Sequence, residues 1–271
     1  MCVPGCQETV RHALSRRGLL KGAATTALSA TVLEPAAAAP ARRFTSTLDL
    51  THTMSAEFPT FFGVPGIEME KKFDIKRDGF NLNWWHIIEH AGTHLDAPIH
   101  FSEAGATADK ISADALVVPL AVVDVTAKAA QNPDYLLSRD DIAEWEKKHR
   151  RLPANCCVAM HSGWGRHVGD PAKFTGKDSS GVLHFPGFSP EAAEWLMQER
   201  KVAGLAVDTL SLDNGASKDF KVHHAWLPSG RWGLENVANL DKVPAAGTTL
   251  VVGLAKVKDA TGGPARLLAL I

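Results

Sequence analysis

No block of basic residues occurs in the sequence, and the formal net charge is −1. A nucleic-acid partner, which needs a concentrated positive face, is therefore not expected. Cysteine is scarce. Of the four, Cys2 and Cys6 lie at the extreme N-terminus, and Cys156 and Cys157 are sequence neighbours. Neighbouring cysteines rarely bridge without strain, so no structural disulfide is expected. Buried thiols at these positions would act as small apolar groups. Long hydrophobic runs are also missing: the apolar stretch near the N-terminus is short and alanine-rich, too weak for a stable membrane span. What remains is enough apolar material, 45% of 271 residues, for one substantial core, and 22% charged residues, which is not a disordered composition.

The first forty residues read as an address. Ser15-Arg16-Arg17-Gly18-Leu19-Leu20-Lys21 precedes a weakly apolar stretch, then Pro35 and the small residues Ala36 to Ala41. This is the layout of a twin-arginine export signal, cleaved after Ala39 or Ala41. Residues 1–41 are expected to be removed, leaving 42–271 as a single domain that is periplasmic or secreted.

Within that domain, apolar patterning predicts strands at 44–54, 80–90, 116–125, 156–161, 202–208 and 248–256. Ser138 with Asp141 three residues on predicts a helix over 138–149. Ser189-Pro190-Glu191 opens another, running to about Arg200. Residues 55–70 and 166–187 read as loops. The alternation of strands and helices fits a mixed α/β domain. Trp84 and Trp85 alternate in a strand, so one is expected to face the core and the other the pocket.

The chemistry concentrates in His90-Ala91-Gly92-Thr93-His94-Leu95-Asp96-Ala97-Pro98-Ile99-His100. Gly92, Thr93 and Pro98 argue against a helix. In an extended path His94, Asp96 and His100 share a side, and a bend at Gly92 brings His90 to join them. Two imidazoles and a carboxylate suit a divalent ion such as zinc or manganese and leave positions free for water or substrate. Farther on, His223-His224 and Glu235 offer ligands that could complete or duplicate that site.

The run from His90 to His100 resembles the signature of the bacterial kynurenine formamidase and putative cyclase family, which includes isatin hydrolases. The pattern His-x-Gly-Thr-His-x-Asp-x-Pro-x-His is matched at every fixed position, and the resemblance extends over 45–271. It implies an α/β fold of the swivelling β/β/α type, with a small barrel-like mixed sheet and flanking helices. It implies that His90, His94 and Asp96 bind one ion, that His223 and Glu235 belong to a second, and that His100 transfers protons. His224 fits less well, its spacing to Glu235 being off by one. Phe61 stands where formamidases carry a tryptophan that packs on the substrate ring. With Phe62 and Trp84 it suggests a planar aromatic substrate. Asp208, Ser211 and His161 are expected behind or beside the ligands.

The expected activity is metal-dependent hydrolysis of an amide-type C–N bond in a small aromatic amide or lactam, by a homodimer or homotetramer. The alternatives are an isatin hydrolase-like enzyme with one manganese ion, and a non-catalytic periplasmic metal- or solute-binding protein. The latter has no use for His100 as a proton carrier.

Overall fold

The computed structural model describes residues 43–271; the arginine pair, the rest of the export segment expected at 1–41, Cys2 and Cys6 lie outside the described residues. The strands are β1 (Thr47–Asp49), β2 (Ile67–Phe73), β3 (Leu82–Ile87), β4 (His94–Asp96), β5 (Val117–Asp124), β6 (Leu136–Leu137), β7 (Cys157–His161), β8 (Gly187–Phe188), β9 (Gly204–Val207), β10 (Trp232–Glu235), β11 (Thr248–Leu254) and β12 (Gly262–Leu270). The α-helices are α1 (Ile75–Asp78), α2 (Thr126–Gln131), α3 (Arg139–His149), α4 (Pro171–Thr175), α5 (Pro190–Trp195) and α6 (Lys221–Trp226).

The principal sheet runs β1-β12-β11-β5-β7-β9-β10-β4, and β12 pairs back onto β4. Seven strands thereby close into a barrel, and β1 pairs with the C-terminal end of β12, beyond the residues that meet β4. Pairing is parallel from β5 through β7 and β9 to β10, and antiparallel elsewhere. Strands buried on both faces read as continuous apolar runs, because alternate side chains serve two cores. Leu120 and Val122 join Cys157, Ala159, Leu95, Leu234 and Leu267 inside the barrel. Ala121 and Val123 join Val158, Met160, Ile142, Leu205 and Trp226 between sheet and helices. Cys156 and Cys157 fall into opposite cores and are both free. Burial pushes the Cys156 thiol up to about 12, so it is inert. This is the mixed α/β barrel implied by the signature.

The helix expected from Ser138 is α3. The Ser138 hydroxyl accepts from the Asp141 N–H while the Asp141 carboxylate accepts from the Ser138 N–H, a full capping box. Helix α5 starts at Pro190 as expected and continues as a π-helical turn over Leu196–Arg200.

Other segments differ from the sequence expectation. Of 44–54, only Thr47–Asp49 joins the ladder, with one bridge from Thr51 to Val237. Strand β2 begins inside the expected 55–70 loop, and 166–187 contains α4. Strands β2 and β3 pair only with each other, outside the barrel. Among the described residues nothing covers that hairpin, so Trp84 and Trp85 are 58% and 64% exposed, and neither faces a core.

Candidate metal centre and pocket

Strand register assembles the centre. Leu95 turns into the barrel, which leaves His94 and Asp96 on the other face of β4. On β10, Glu235 is the direct partner of His94, and Gly233 is the partner of Asp96. His94 Nε2 lies 3.3 Å from Asp96 Oδ1 and 3.4 Å from Glu235 Oε2. His223, on α6, brings Nε2 to 3.2 Å from Glu235 Oε1 and 3.5 Å from Asp96 Oδ2. The bend expected at Gly92 is present, with φ +66°, and it returns His90 so that Nδ1 lies 2.6 Å from Asp96 Oδ1. Asn236 pins that bend: its side-chain amide donates to the Gly92 carbonyl, and its own carbonyl accepts from Thr93.

The outward nitrogens show what faces inward. His94 Nδ1 is 2.9 Å from the Gly92 carbonyl, which only accepts, so that nitrogen carries the proton. His223 Nδ1 is 2.6 Å from the Asp213 carboxylate, which also accepts from the Val222 and His223 N–H groups and so fixes the first turn of α6. The inward atoms Nε2 of His94 and Nε2 of His223 are therefore lone-pair donors, and they meet the oxygens of Asp96 and Glu235. His94 Nε2 and Asp96 Oδ2 are buried with no hydrogen-bond partner. Acceptors converging on one buried point fit a cation.

Electrostatics agree with this. Burial works against the charge on His94, but the Asp96 and Glu235 carboxylates outweigh it and lift the imidazole to about 10. Burial likewise opposes ionisation of Asp96, yet His223, His90 and His94 hold it well below the usual carboxylate range. Protons share this cluster when no ion does, and an ion entering it must release them.

His100 is placed by a 3-10 turn over Pro98–Phe101 rather than by strand parity, its N–H bonding the Ala97 carbonyl at 2.9 Å. Its ring stacks on His90 at 3.7 Å between centroids. Burial pushes its pKa down to about 4; Asp96 opposes the shift, and His90 and His223 add to it. His100 is thus a neutral imidazole at pH 7, able to accept a proton. Above it opens a cavity of about 220 Å³ lined by Phe61, Phe62, Phe101, Phe220 and Leu210, with His90, Asp96, His100, His223 and Glu235 on its polar side.

The structure thus gathers His90, His94, Asp96, His100, His223 and Glu235 in one place and puts Phe61 and Phe62 in the cavity wall. Ser211 also lines it, with a buried, unpartnered hydroxyl. Trp84 does not: it lies on the β2–β3 hairpin beneath the Lys72 ammonium. Asp208 and His161 are not behind the ligands either. Both line a separate cavity of about 400 Å³. Asp208 accepts from the N–H groups of Ser162, Gly163 and Trp164, holding a turn. His224 is exposed and packs edge-on against Phe101. Asp213, Asn236, Thr261 and Glu89 support the centre and carry no motif in the sequence.

The family model described as Putative cyclase matches residues 48–214. The chain belongs to the putative cyclase family. Within this cyclase family it is 34% identical over 217 residues to an isatin hydrolase of Roseibium aggregatum, covering 76% of this chain and 82% of that protein. It is 24% identical over 221 residues to a kynurenine formamidase of Bordetella pertussis, covering 80% and 94%. Among solved structures, isatin hydrolase A from Ralstonia solanacearum superposes with a TM-score of 0.79 at 33% identity, covering 83% of this chain and 92% of that one.

Proposed function

We propose that this cyclase-family chain is a divalent-metal-dependent hydrolase that opens the C–N bond of a small aromatic amide, with a ring-fused lactam of the isatin kind as the favoured substrate. The single observation that carries the reading is the convergence of imidazole nitrogens and two carboxylates, each with its lone pairs turned inward, at the floor of an aromatic cavity beside a neutral histidine. The higher identity to an isatin hydrolase than to a kynurenine formamidase supports the cyclic over the open-chain amide. Zinc and manganese both suit the ligand set, in one site or two. Asp96 and Glu235 each face both His94 and His223, so either count can be accommodated.

His94, Asp96, His223, Glu235 and His90 would hold the ion. When bound, it supplies Lewis acidity toward the carbonyl and acidity to water near neutral pH. The aromatic walls take the planar ring and exclude solvent from the reacting bond. His100 accepts a proton from the attacking water and delivers it to the departing nitrogen. The C–N bond breaks, a C–O bond forms, and the new carboxylic acid loses its proton to solvent. A binding protein without catalysis would leave His100 with no task.

The arginine pair at residues 16 and 17 supports export to the periplasm or beyond, and the exposed apolar side chains of the β2–β3 hairpin support a homodimer or homotetramer.

The test is direct. Purified protein with Zn²⁺ or Mn²⁺ is incubated with isatin, formanilide and a small lactone while ring opening or formate release is followed. Turnover of isatin that vanishes in Asp96→Asn supports the reading. No turnover of any amide by metal-loaded protein overturns it.

A further inference from the structure

We infer that Glu89 and Thr261 form a relay that decides which nitrogen His90 offers to the cation. The inference rests on the metal reading above and adds two positioning residues to it.

Thr261 stands just before β12, 171 residues from His90, and its oxygen lies 2.8 Å from His90 Nε2. Its hydroxyl donates to Glu89 Oε2 at 2.5 Å, and its N–H faces both Glu89 oxygens at 3.3 Å. Its carbonyl accepts the Ala97 N–H at 2.9 Å, which ties it to the strand bearing Asp96. A hydroxyl has one proton to give, and an ionised carboxylate only accepts. The Thr261 proton therefore goes to Glu89, and the Thr261 oxygen can only accept from His90. Nε2 then carries the ring proton, and the lone pair of Nδ1 points at Asp96 Oδ1, 2.6 Å away. Two acceptors that close need a positive charge between or beside them.

Packing fixes the ring plane but not the tautomer. His100 stacks on one face of His90. Against it also lies Gly262, where an added Cβ would fall 2.6 Å from His90 Cε1 and 2.3 Å from the Leu95 carbonyl oxygen. The ring cannot swing aside. The acceptor at Nε2 then sets which nitrogen faces Asp96 and the cation, and the half-buried Glu89 carboxylate behind that acceptor strengthens Nδ1 as a donor.

The test uses metal-stripped full chains of wild type, Thr261→Val, Thr261→Ser and Glu89→Gln, titrated with Zn²⁺ and with Mn²⁺ against a chelating dye. Loss of the relay is expected to weaken binding about 10–100-fold in Thr261→Val and Glu89→Gln, with Thr261→Ser near wild type. Excess ion should restore the turnover of Thr261→Val, which a collapsed site would not allow. If Thr261→Val does not fold, Glu89→Gln decides. Wild-type affinity in both Thr261→Val and Glu89→Gln overturns the relay while leaving the metal reading intact. A wild-type protein that binds neither ion overturns both.

Discussion

His100 and Gly262 set the sharpest residue-scale expectations. Replacing His100 with Asn removes the proton carrier while His94, Asp96, His223 and Glu235 keep their inward lone pairs. Turnover should fall about 10²–10⁴-fold with metal content unchanged, read by steady-state kinetics and metal analysis on the same sample. Full activity would remove His100 from the mechanism. Gly262→Ala keeps every ligand yet forces a methyl against His90 Cε1. Metal affinity should drop, and stability with it, because the methyl also meets the Leu95 carbonyl across the β4–β12 pairing; an unchanged affinity would show that His90 is not held there. These two residues also mark how legible the site was. His90, His94, Asp96 and His100 could be read because they fall in one short segment with Gly92 and Pro98 shaping it. Asp213, Asn236, Thr261 and Glu89 could not, since each is a single polar residue brought in by distant strand pairing. Asp208 was visible as a residue after a strand, but its carboxylate is consumed by backbone N–H groups.

Among the elements, α3 was readable because its stop and start chemistry is local. Ser138 and Asp141 cap each other, and Asp141 also takes Lys128 and the Tyr135 hydroxyl. Ser138→Ala is expected to lower stability by about 1 kcal/mol in urea unfolding. Burial alone would raise the Asp141 pKa, but Lys128, Ser138 and Tyr135 outweigh it and hold it below its ordinary 3.8. A depressed folded-state pKa adds stability that is full above the unfolded value and is lost as pH falls through the folded one. The stability gap between wild type and Asp141→Asn should therefore be wide at pH 7 and close below about pH 4. A gap that grew in acid would refute the pairing. Strand β12 was not readable, because Gly262-Gly263-Pro264 looks like a turn. Strand β3 was readable as a strand but not as an outlier, since nothing in Leu82–Ile87 says whether a core lies beneath it, and its partner β2 begins inside an expected loop.

For the molecule as a whole, the fold class followed from strand and helix alternation and from the signature, whereas barrel closure depends on β12 reaching β4. The cation, in this reading, ties β4, α6 and β10 together. At free ion near 100 times its dissociation constant, that linkage is worth about 2.7 kcal/mol. Chelation should lower the melting temperature by about 5–10 °C for a domain of this size. Asp96→Asn should melt at the chelated temperature with or without ion, and a wild type indifferent to chelator would remove the ion from the folded state. Light scattering should give a mass of two or four chains, falling when Met69 and Trp85 are both made Ser.

Strand β12 closes the barrel through Gly262–Pro264, against the segment that carries His94 and Asp96. The ligands near residue 90 therefore leave the ribosome long before the strand that walls them in. A nascent polypeptide stalled ahead of β12 would display its histidines without a finished cage. Competence to capture an ion is in effect a certificate that translation has run through to that last strand.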